Sequence, residues 1–391
     1  MGKNKVVSVT KDKEKDGIII DEEIDMPKKK EEVSKKKRRG KKNLVLFGAL
    51  LIMVPFLVFG CIALFTKGKK IDNTPIKEVE EKKEEKEEKE EVIVPEKKLK
   101  IVDLDSTSRP FAIMINNAPV ARPLQSGLQD AYIIYEIIVE GGITRYMALF
   151  LDQNTSRIGS IRSARHYYLD YALENDAIYV HHGNSPQALS DFGKLGITRI
   201  EVSNSTGWRD KSLNVAYEHT LFTSIEKLKN GIGSKRTERN KELLLTYSID
   251  PLDLASIANS QVANNISINY SNSITTSYEY DSVNKVYKRF VNGKEHKDYA
   301  TGEQYTFKNI ITYKVGNYTI AGDEKGRQNI SNIGSGSGYY ISEGIAIPIK
   351  WSKSSRGSQT KYTLEDGSDL VVNDGNTFIQ IQPSGRNLSI S

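Results

Sequence analysis

One uninterrupted apolar segment constrains this chain more than any other feature. Leu44–Phe65 contains no charged residue. In an α-helix, its roughly 22 residues at ~1.5 Å each cover the ~30 Å hydrocarbon core of a bilayer. No polar face exists anywhere along the run, so a helix buried in a soluble core does not fit it. We therefore predict a transmembrane helix at residues 44–66.

The charges that flank this segment predict its orientation. Most of the net charge of +6 precedes the span, in the clusters Lys28–Lys30 and Lys35–Arg39 and at Lys41 and Lys42. Fewer lysines follow the span, and a basic flank stays in the cytoplasm. We predict a disordered, basic cytoplasmic tail at 1–43 and an extracytoplasmic location for everything after the span. Beyond the tail the charge is nearly balanced, which argues against nucleic-acid binding.

A second kind of anchor remains open at the same place. Val58–Cys61 resembles a lipobox, in which a signal peptidase cleaves before a cysteine that becomes lipidated. Phe59 is unusual in such a motif, and a charged leader of this length is atypical of a signal peptide. The helix is therefore favoured over lipidation of Cys61, and either anchor would tether the remainder outside. Cys61 is the only cysteine, so the exported part has no disulfide and no cysteine-based site.

The remainder is predicted to be a stalk followed by two folded parts. Residues 67–99 alternate Glu and Lys without an apolar stripe, which is typical of a charged spacer rather than a coiled coil. We predict an α+β extracytoplasmic domain at 100–258 and a smaller β-rich domain at 259–391, where Asn-Gly and Asp-Gly turns separate alternating strands. Helices are expected at 224–230 and 237–245, and residues 334–338 (GSGSG) are expected to form a flexible or close-approach loop. The many tyrosines favour cross-strand packing over a sugar-stacking platform.

A β-hairpin is predicted around Gly141-Gly142. The flanking runs Tyr132–Glu140 and Ile143–Leu151 are rich in β-forming residues. In that register Glu136 and Glu140 share a face, and Arg145 lies diagonally between them within reach of both. Two interpretations stay open, namely an ion-pair network that stabilises the hairpin and a ligand site built around the carboxylates.

An arginine-rich loop precedes a predicted helix that ends near Leu173. Ser163 as the N-cap would place Arg165 in the first helical turn, with Arg162 just before it. A helix N-terminus beside guanidinium groups favours a carboxylate or phosphate ligand. The alternative is that these arginines pair with carboxylates of the chain itself, namely Glu136, Glu140, Asp170 or Glu174.

The histidines do not indicate a metal site. His181 ends a predicted strand and His182 follows it, so the two side chains point to opposite faces. Ser185 followed by Pro186 is a helix start, which explains Ser185 better than a nucleophile with His182 as its base. The sequence contains no G-x-S-x-G, H-E-x-x-H, S-x-x-K or phosphate-loop motif. We expect no catalytic residues, no metal and no cofactor.

Several long strings are similar to one known family. RPFAIMINN, ARPLQSGLQDAYIIYEIIVEGGITRYMALF, RIGSIRSARHYYLDYA and YVHHGNSPQA, within residues 106–230, resemble the YerB family of candidate bacterial lipoproteins. GYYISEGIAIPIKWSK and GNTFIQIQP resemble its second domain. The long cytoplasmic tail and the atypical lipobox depart from the family pattern. The resemblance implies an exported Gram-positive protein without established chemistry, and a charged signature predicted to bind a ligand: Glu136, Glu140, Arg145, Arg162, Arg165 and His182.

These observations together predict a membrane-anchored extracytoplasmic binding or scaffold protein of the cell envelope. Its partner would be an anionic wall component or another envelope protein. One alternative is a wall-active hydrolase or transferase that uses Glu136 and Glu140, one of which would need a raised pKa. The other alternative is a structural partner of another membrane protein.

Overall fold

The structure is a computed structural model that describes residues 98–391, which fall within one compact unit, Glu91–Ser391. The predicted tail (1–43), span (44–66) and nearly all of the stalk (67–99) lie outside the described residues. Within 98–391, no helix has both the length and the apolar character needed to cross a bilayer.

Strands dominate the described residues. The first eleven are β1 Phe111–Asn116, β2 Ile133–Ile138, β3 Thr144–Phe150, β4 Ile158–Gly159, β5 Ile178–His181, β6 Arg199–Glu201, β7 Trp208–Arg209, β8 Leu221–Thr223, β9 Thr246–Ser248, β10 Gln261–Val262 and β11 Asn265–Asn269. The others are β12 Thr275–Asp281, β13 Val286–Val291, β14 Lys294–Glu295, β15 Thr306–Phe307, β16 Asn309–Thr319, β17 Gln328–Ser331, β18 Gly334–Ser342, β19 Ile345–Lys353, β20 Lys361–Thr363, β21 Val371–Asn373, β22 Thr377–Pro383 and β23 Leu388–Ile390. The α-helices of this part are short: α1 His166–Glu174, α2 Pro186–Lys194 and α3 Ile225–Asn230.

Most strands belong to two sheets. The larger has twelve strands in the order β10-β19-β18-β16-β22-β2-β3-β1-β5-β6, with β17 on β16 and β20 on β19. The smaller has six, in the order β14-β13-β12-β11-β23 with β15 on β13. Strands β21 and β9 form one short sheet, and β4, β8 and β7 form another.

The larger sheet joins the two predicted parts of the chain. Strand β22, near the C-terminus, lies parallel between β2 and β16, so that Thr377 is the register partner of both Ile133 and Asn309. Every residue of β22 is buried, as expected for a parallel strand in the interior of a sheet. The segments on either side of residue 258 therefore share one hydrogen-bonded sheet, and the described part is mostly β with few helices.

Tyrosines fill much of the core. The largest fully buried side chains are Arg289 and eleven tyrosines, among them Tyr135, Tyr146 and Tyr278. Tyr146 and Tyr278 both pack their rings edge-on against Phe378 of β22. These buried tyrosines are thus packing residues, as the sequence favoured.

Several local predictions are confirmed. Ser185 caps α2 by accepting a 3.1 Å hydrogen bond from the Ala188 N–H, with Pro186 in the first helical position. The helix predicted at 224–230 is α3, which Ser224 caps in the same way. Asn292 and Gly293 connect β13 to β14 with φ of 50° and 73°, the backbone of a tight hairpin turn.

Three local predictions are wrong. Helix α1 begins at His166 with Arg165 as its N-cap, so Ser163 is not the cap. Residues 237–245 are not helical, because the Thr237 carbonyl and the Arg239 N–H bond to the backbone of 107–109 instead. The GSGSG stretch begins strand β18 rather than a loop. Its predicted close approach is real, since a Cβ at Gly338 would lie 2.3 Å from a neighbouring carbonyl oxygen.

Candidate functional site

The predicted hairpin is present, but its register separates Glu136 from Arg145. Arg145 pairs with Ile137, which places its side chain on the opposite face from that of Glu136. Strand β2 ends at Ile138, and Glu140 lies in the turn, where strand alternation no longer applies. Arg145 Nη2 therefore reaches Glu140 Oε1 at 3.4 Å and does not contact Glu136. The prediction that Arg145 contacts both carboxylates is wrong.

Glu136 instead pairs with Arg289 of the smaller sheet. Arg289 Nη2 lies 2.8 Å from Glu136 Oε2, and both side chains are completely buried. Thr144 donates a 2.6 Å hydrogen bond to the other carboxylate oxygen, and Thr276 donates to both oxygens at 3.2 and 3.3 Å. Glu136 is therefore enclosed by its own partners and does not face a ligand.

Sequence reasoning missed Arg289, although the sequence contains a signal for it. In β13, Arg289 falls in phase with Tyr287 and Val291, which are the buried positions of that strand. A charged residue on the buried face of a strand needs a buried counter-charge, because an unpaired buried ion is costly. The alternation could thus have identified Arg289 as a partner for a buried acid.

The Glu136–Arg289 pair belongs to a closed ring of hydrogen bonds. Arg289 Nη1 donates to His296 Nδ1 at 2.6 Å, and His296 Nε2 bonds Gln125 Oε1. Gln125 donates to Asn117 Oδ1 at 3.3 Å, and Asn117 donates at 2.7 Å to the Thr144 hydroxyl, which bonds the carboxylate. Burial, followed by the charge of Arg289, lowers the pKa of His296 well below its usual value, so its imidazole is neutral. A completed buried network of this kind is structural.

Glu140 forms a second cluster with Arg145 and Arg165. Arg165 Nε donates to Glu140 Oε2 at 2.9 Å, and its Nη2 bonds Oε1. Arg145 Nη1 also donates to the Ser163 carbonyl at 2.5 Å. Partial burial alone would raise the pKa of Glu140, but the Arg165 hydrogen bond and the two positive charges lower it to about 2. Glu140 is therefore ionised at neutral pH.

Arg162 lies near the surface and bonds an exposed acid. Its Nη2 donates to Glu218 Oε1 at 2.8 Å, where the two side chains are 24% and 57% exposed. The same oxygen is 3.5 Å from His219 Nε2, and the opposite ring nitrogen accepts a 2.9 Å hydrogen bond from Asn116. Burial, then the charge of Arg162, lowers the pKa of His219.

His182 lies beside this group. Its backbone N–H donates to the Arg162 carbonyl at 3.1 Å, and its Nδ1 bonds the Val202 carbonyl at 2.9 Å. That leaves Nε2 to accept from Arg209 Nη2 at 3.1 Å. Arg209 also donates to the Tyr217 carbonyl at 2.6 Å and stacks on the ring of Tyr217. His181 bonds Gly183 instead, which confirms that the two histidines have separate surroundings.

The structure thus brings five of the six predicted residues to neighbouring positions and excludes Glu136. We define the arginine edge by five guanidinium groups near the carboxyl ends of β1 and β5: Arg122, Arg145, Arg162, Arg165 and Arg209. Among the described residues, two carboxylates pair with them, Glu140 and Glu218, which leaves an excess of three positive charges among these seven side chains. Within residues 98–391, Arg122 and Arg209 have no carboxylate partner and bond only neutral groups. A further anion could therefore be accommodated without competing for every arginine.

Neither metal ligation nor acid–base catalysis is supported by this arrangement. In the described part of the chain, no three His, Cys, Asp or Glu side chains form a group that could hold a metal ion. Glu136 is enclosed by its own partners and faces no cleft. The lowered pKa of Glu140 is the opposite of the raised pKa that the hydrolase alternative requires.

Comparisons with known proteins agree with the resemblance seen in the sequence. Residues 99–238 match the N-terminal domain, and residues 266–379 the C-terminal domain, of the family described as "Protein of unknown function (DUF3048)". "Putative lipoprotein YerB" of Bacillus subtilis (strain 168) is 32% identical over 305 residues, covering 76% of this chain and 88% of its own. The crystal structure of the Bacillus subtilis YerB protein matches with a TM-score of 0.61 at 28% identity, over 72% of this chain and 94% of the other. The chain belongs to the YerB family, which combines these two domains.

Proposed function

We propose that this protein is a membrane-tethered, extracytoplasmic binding protein that recognises an anionic component of the cell envelope at the arginine edge. The observation that carries the proposal is the excess of guanidinium groups there, with Arg162 and Arg209 near the surface. The proposal concerns recognition and includes no chemical step.

The relative's description supports the location. The Bacillus subtilis relative carries the description "Putative lipoprotein YerB". In this chain the apolar run Leu44–Phe65 and Cys61 provide two possible anchors, a transmembrane helix and a lipidated cysteine. Either anchor places residues 98–391 on the outer side of the membrane.

The chemistry of the edge supports an anionic ligand. Guanidinium groups bind carboxylate and phosphate through paired N–H donors, and they stay charged at any physiological pH. Among the described side chains, Arg162 pairs with the exposed Glu218 alone, and ion pairs at exposed positions contribute little stability. A polyanion can therefore replace Glu218 at small cost, and Arg209 adds a guanidinium group that has no acidic partner within residues 98–391.

Arg145 and Arg165 have a different role in this proposal. Both side chains are more than nine-tenths buried and share Glu140. They hold the loop that presents Arg162, since Arg145 bonds the Ser163 carbonyl. Replacing either would leave Glu140 without part of its counter-charge, so a loss of binding in such a variant would not separate recognition from folding.

The test is binding of the full chain, in detergent micelles, to poly(glycerol phosphate) and to poly-L-glutamate. These probes distinguish phosphate from carboxylate recognition. An Arg162→Gln, Arg209→Gln double variant should bind at least tenfold more weakly, and binding by the unsubstituted chain should weaken as salt is raised. A Lys294→Gln, Lys297→Gln variant removes two exposed charges, one in strand β14 and one just after it, and should bind normally.

Two outcomes would overturn the proposal. Equal binding by the double variant and the unsubstituted chain would remove the arginine edge as the site. Equal weakening in the lysine control would show that only the net charge matters. Each variant is compared at an unchanged melting temperature, so that a folding defect is not counted as a loss of recognition.

A further inference from the structure

A groove separate from the arginine edge lies at one end of the larger sheet. Its volume is about 820 Å³, within the range of small-molecule sites. The start of β18, the end of β19 with the segment that follows it, and residues 244–246 form its walls. None of the six residues predicted from the sequence lines it.

The groove carries no net charge. Lys353 lines it, but its ammonium group lies 2.8 Å from Glu174 Oε2, and both side chains are buried. The other charged lining residues are one base and one acid, Lys361 and Asp369. A neutral wall gives no electrostatic preference for a polyanion, which distinguishes this groove from the arginine edge.

Residues with a hydroxyl group are the most numerous polar residues of the lining. Ser335, Ser352, Ser354 and Thr246 are exposed and line it. Within residues 98–391, these four hydroxyls make no hydrogen bond to another protein group, so their donors and acceptors are available to a ligand. Several hydroxyls in one groove match a ligand that carries several hydroxyls, because each can both donate and accept.

The backbone of strand β19 is already hydrogen-bonded at the groove. Strand β19 is paired on both sides at Ser352, with Ser335 of β18 and with Lys361 of β20. An extended peptide that binds by strand addition needs an unpaired strand edge, and β19 has none at this point. Recognition along β19 must therefore come from side chains such as the exposed hydroxyls, which suits a sugar chain.

The apolar lining residues fit the apolar surfaces of a sugar chain. Leu244, Ile333 and Leu370 line the groove, and the side chain of Ile333 is 47% exposed. The C–H faces of a sugar ring and the methyl group of an N-acetyl substituent both bury apolar area against side chains of this kind.

We propose that the groove binds a neutral glycan bearing N-acetyl groups, through its row of serine and threonine hydroxyls and its apolar lining. This site is independent of the arginine edge, and either can fail without the other. Together they would bind a charged polymer and an uncharged one at different places on the same domain.

The test is calorimetric titration of the full chain in detergent micelles with the neutral tetramer of N-acetylglucosamine. We expect saturable binding that a Ser352→Trp substitution weakens at least tenfold, because the indole fills the groove. Lys350→Trp is the matched control, since it places the same side chain on the same exposed face of β19 but outside the lining. That control should bind as the unsubstituted chain does.

A second blocking variant keeps the test decisive if Ser352→Trp fails to fold. Ser354→Trp blocks the groove from the segment after β19, outside the sheet, and should also weaken binding tenfold. An acetylated and amidated tetra-alanine peptide serves as the comparison ligand and should not bind. Absence of saturable binding to the tetramer, unchanged binding in a folded blocking variant, or preference for the peptide would each overturn the proposal.

Discussion

Replacing Arg289 with methionine should be among the most damaging single substitutions in the described part of the chain. The side chain is completely buried, and its Nη2 lies 2.8 Å from Glu136 Oε2. Methionine conserves much of the volume, so the main effect is to leave Glu136 buried without its counter-charge. Breaking one partner of a buried ion pair costs about 3–5 kcal/mol.

The same reasoning predicts that removing both charges is less harmful than removing one. In the variant Glu136→Gln, Arg289→Met, the amide still accepts the hydrogen bonds of Thr144 and Thr276, and no buried charge remains. Replacement of a whole buried ion pair by neutral groups is often close to neutral. The double variant should therefore recover at least about 2 kcal/mol of the loss.

Urea unfolding followed by circular dichroism measures these differences as changes in the free energy of unfolding. In a thermal melt, Arg289→Met should lower the midpoint by on the order of 10 °C. Lys288→Met is the matched control, since Lys288 is the exposed neighbour on the same strand, and it should leave the midpoint nearly unchanged. The reasoning is refuted if Arg289→Met lowers the free energy of unfolding no more than this control does. It is also refuted if the separate effects of Glu136→Gln and Arg289→Met simply add in the double variant.

Three further predictions concern single positions. Glu140 has a folded-state pKa of about 2 against an ordinary 4.5, so it stabilises the fold above pH 4.5 and this contribution is lost towards pH 2. In urea unfolding between pH 4.5 and pH 2, the free energy of unfolding should fall less steeply for Glu140→Gln than for the unsubstituted chain. Equal slopes for the two proteins would contradict the pairing. Gly338→Ala should cost roughly 1–3 kcal/mol because its Cβ would lie 2.3 Å from a carbonyl oxygen, whereas Gly385→Ala, in open space, should not. Ser185→Ala should cost about 1 kcal/mol by removing a helix cap. Ser190→Ala, on the same helix, should be near neutral in the same melt.

Features that depend on a few consecutive residues could be predicted from the sequence. The hairpin at Gly141-Gly142, the start of α2 at Ser185 and the Asn292-Gly293 turn all follow from local turn and capping chemistry. The helix expected at 237–245 failed because that segment pairs with residues 107–109, a distant contact that overrides local propensity. The GSGSG stretch became a strand for a similar reason, since its small residues admit the neighbouring backbone.

The candidate site also has features that the sequence predicted and features that it did not. The sequence identified the charged residues, and five of the six predicted ones lie at the arginine edge or beside it. It could not identify their partners. A one-residue difference in register moved Arg145 away from Glu136, and Arg289, the actual partner, comes from another sheet. Arg209 and Glu218, which decide whether the edge has unpaired guanidinium groups, gave no signal in any local pattern.

The sequence by itself therefore determined the apolar segment that predicts an anchor, the family and the local turns and caps, because these depend on composition or on neighbouring residues. The tertiary structure decided which acid pairs with which base, that both parts of the chain share one sheet through β22, and where a neutral groove opens. The physical reason is that burial requires every charge to have a partner but does not specify which one. That choice is made by strand register and by contacts between residues far apart in the chain.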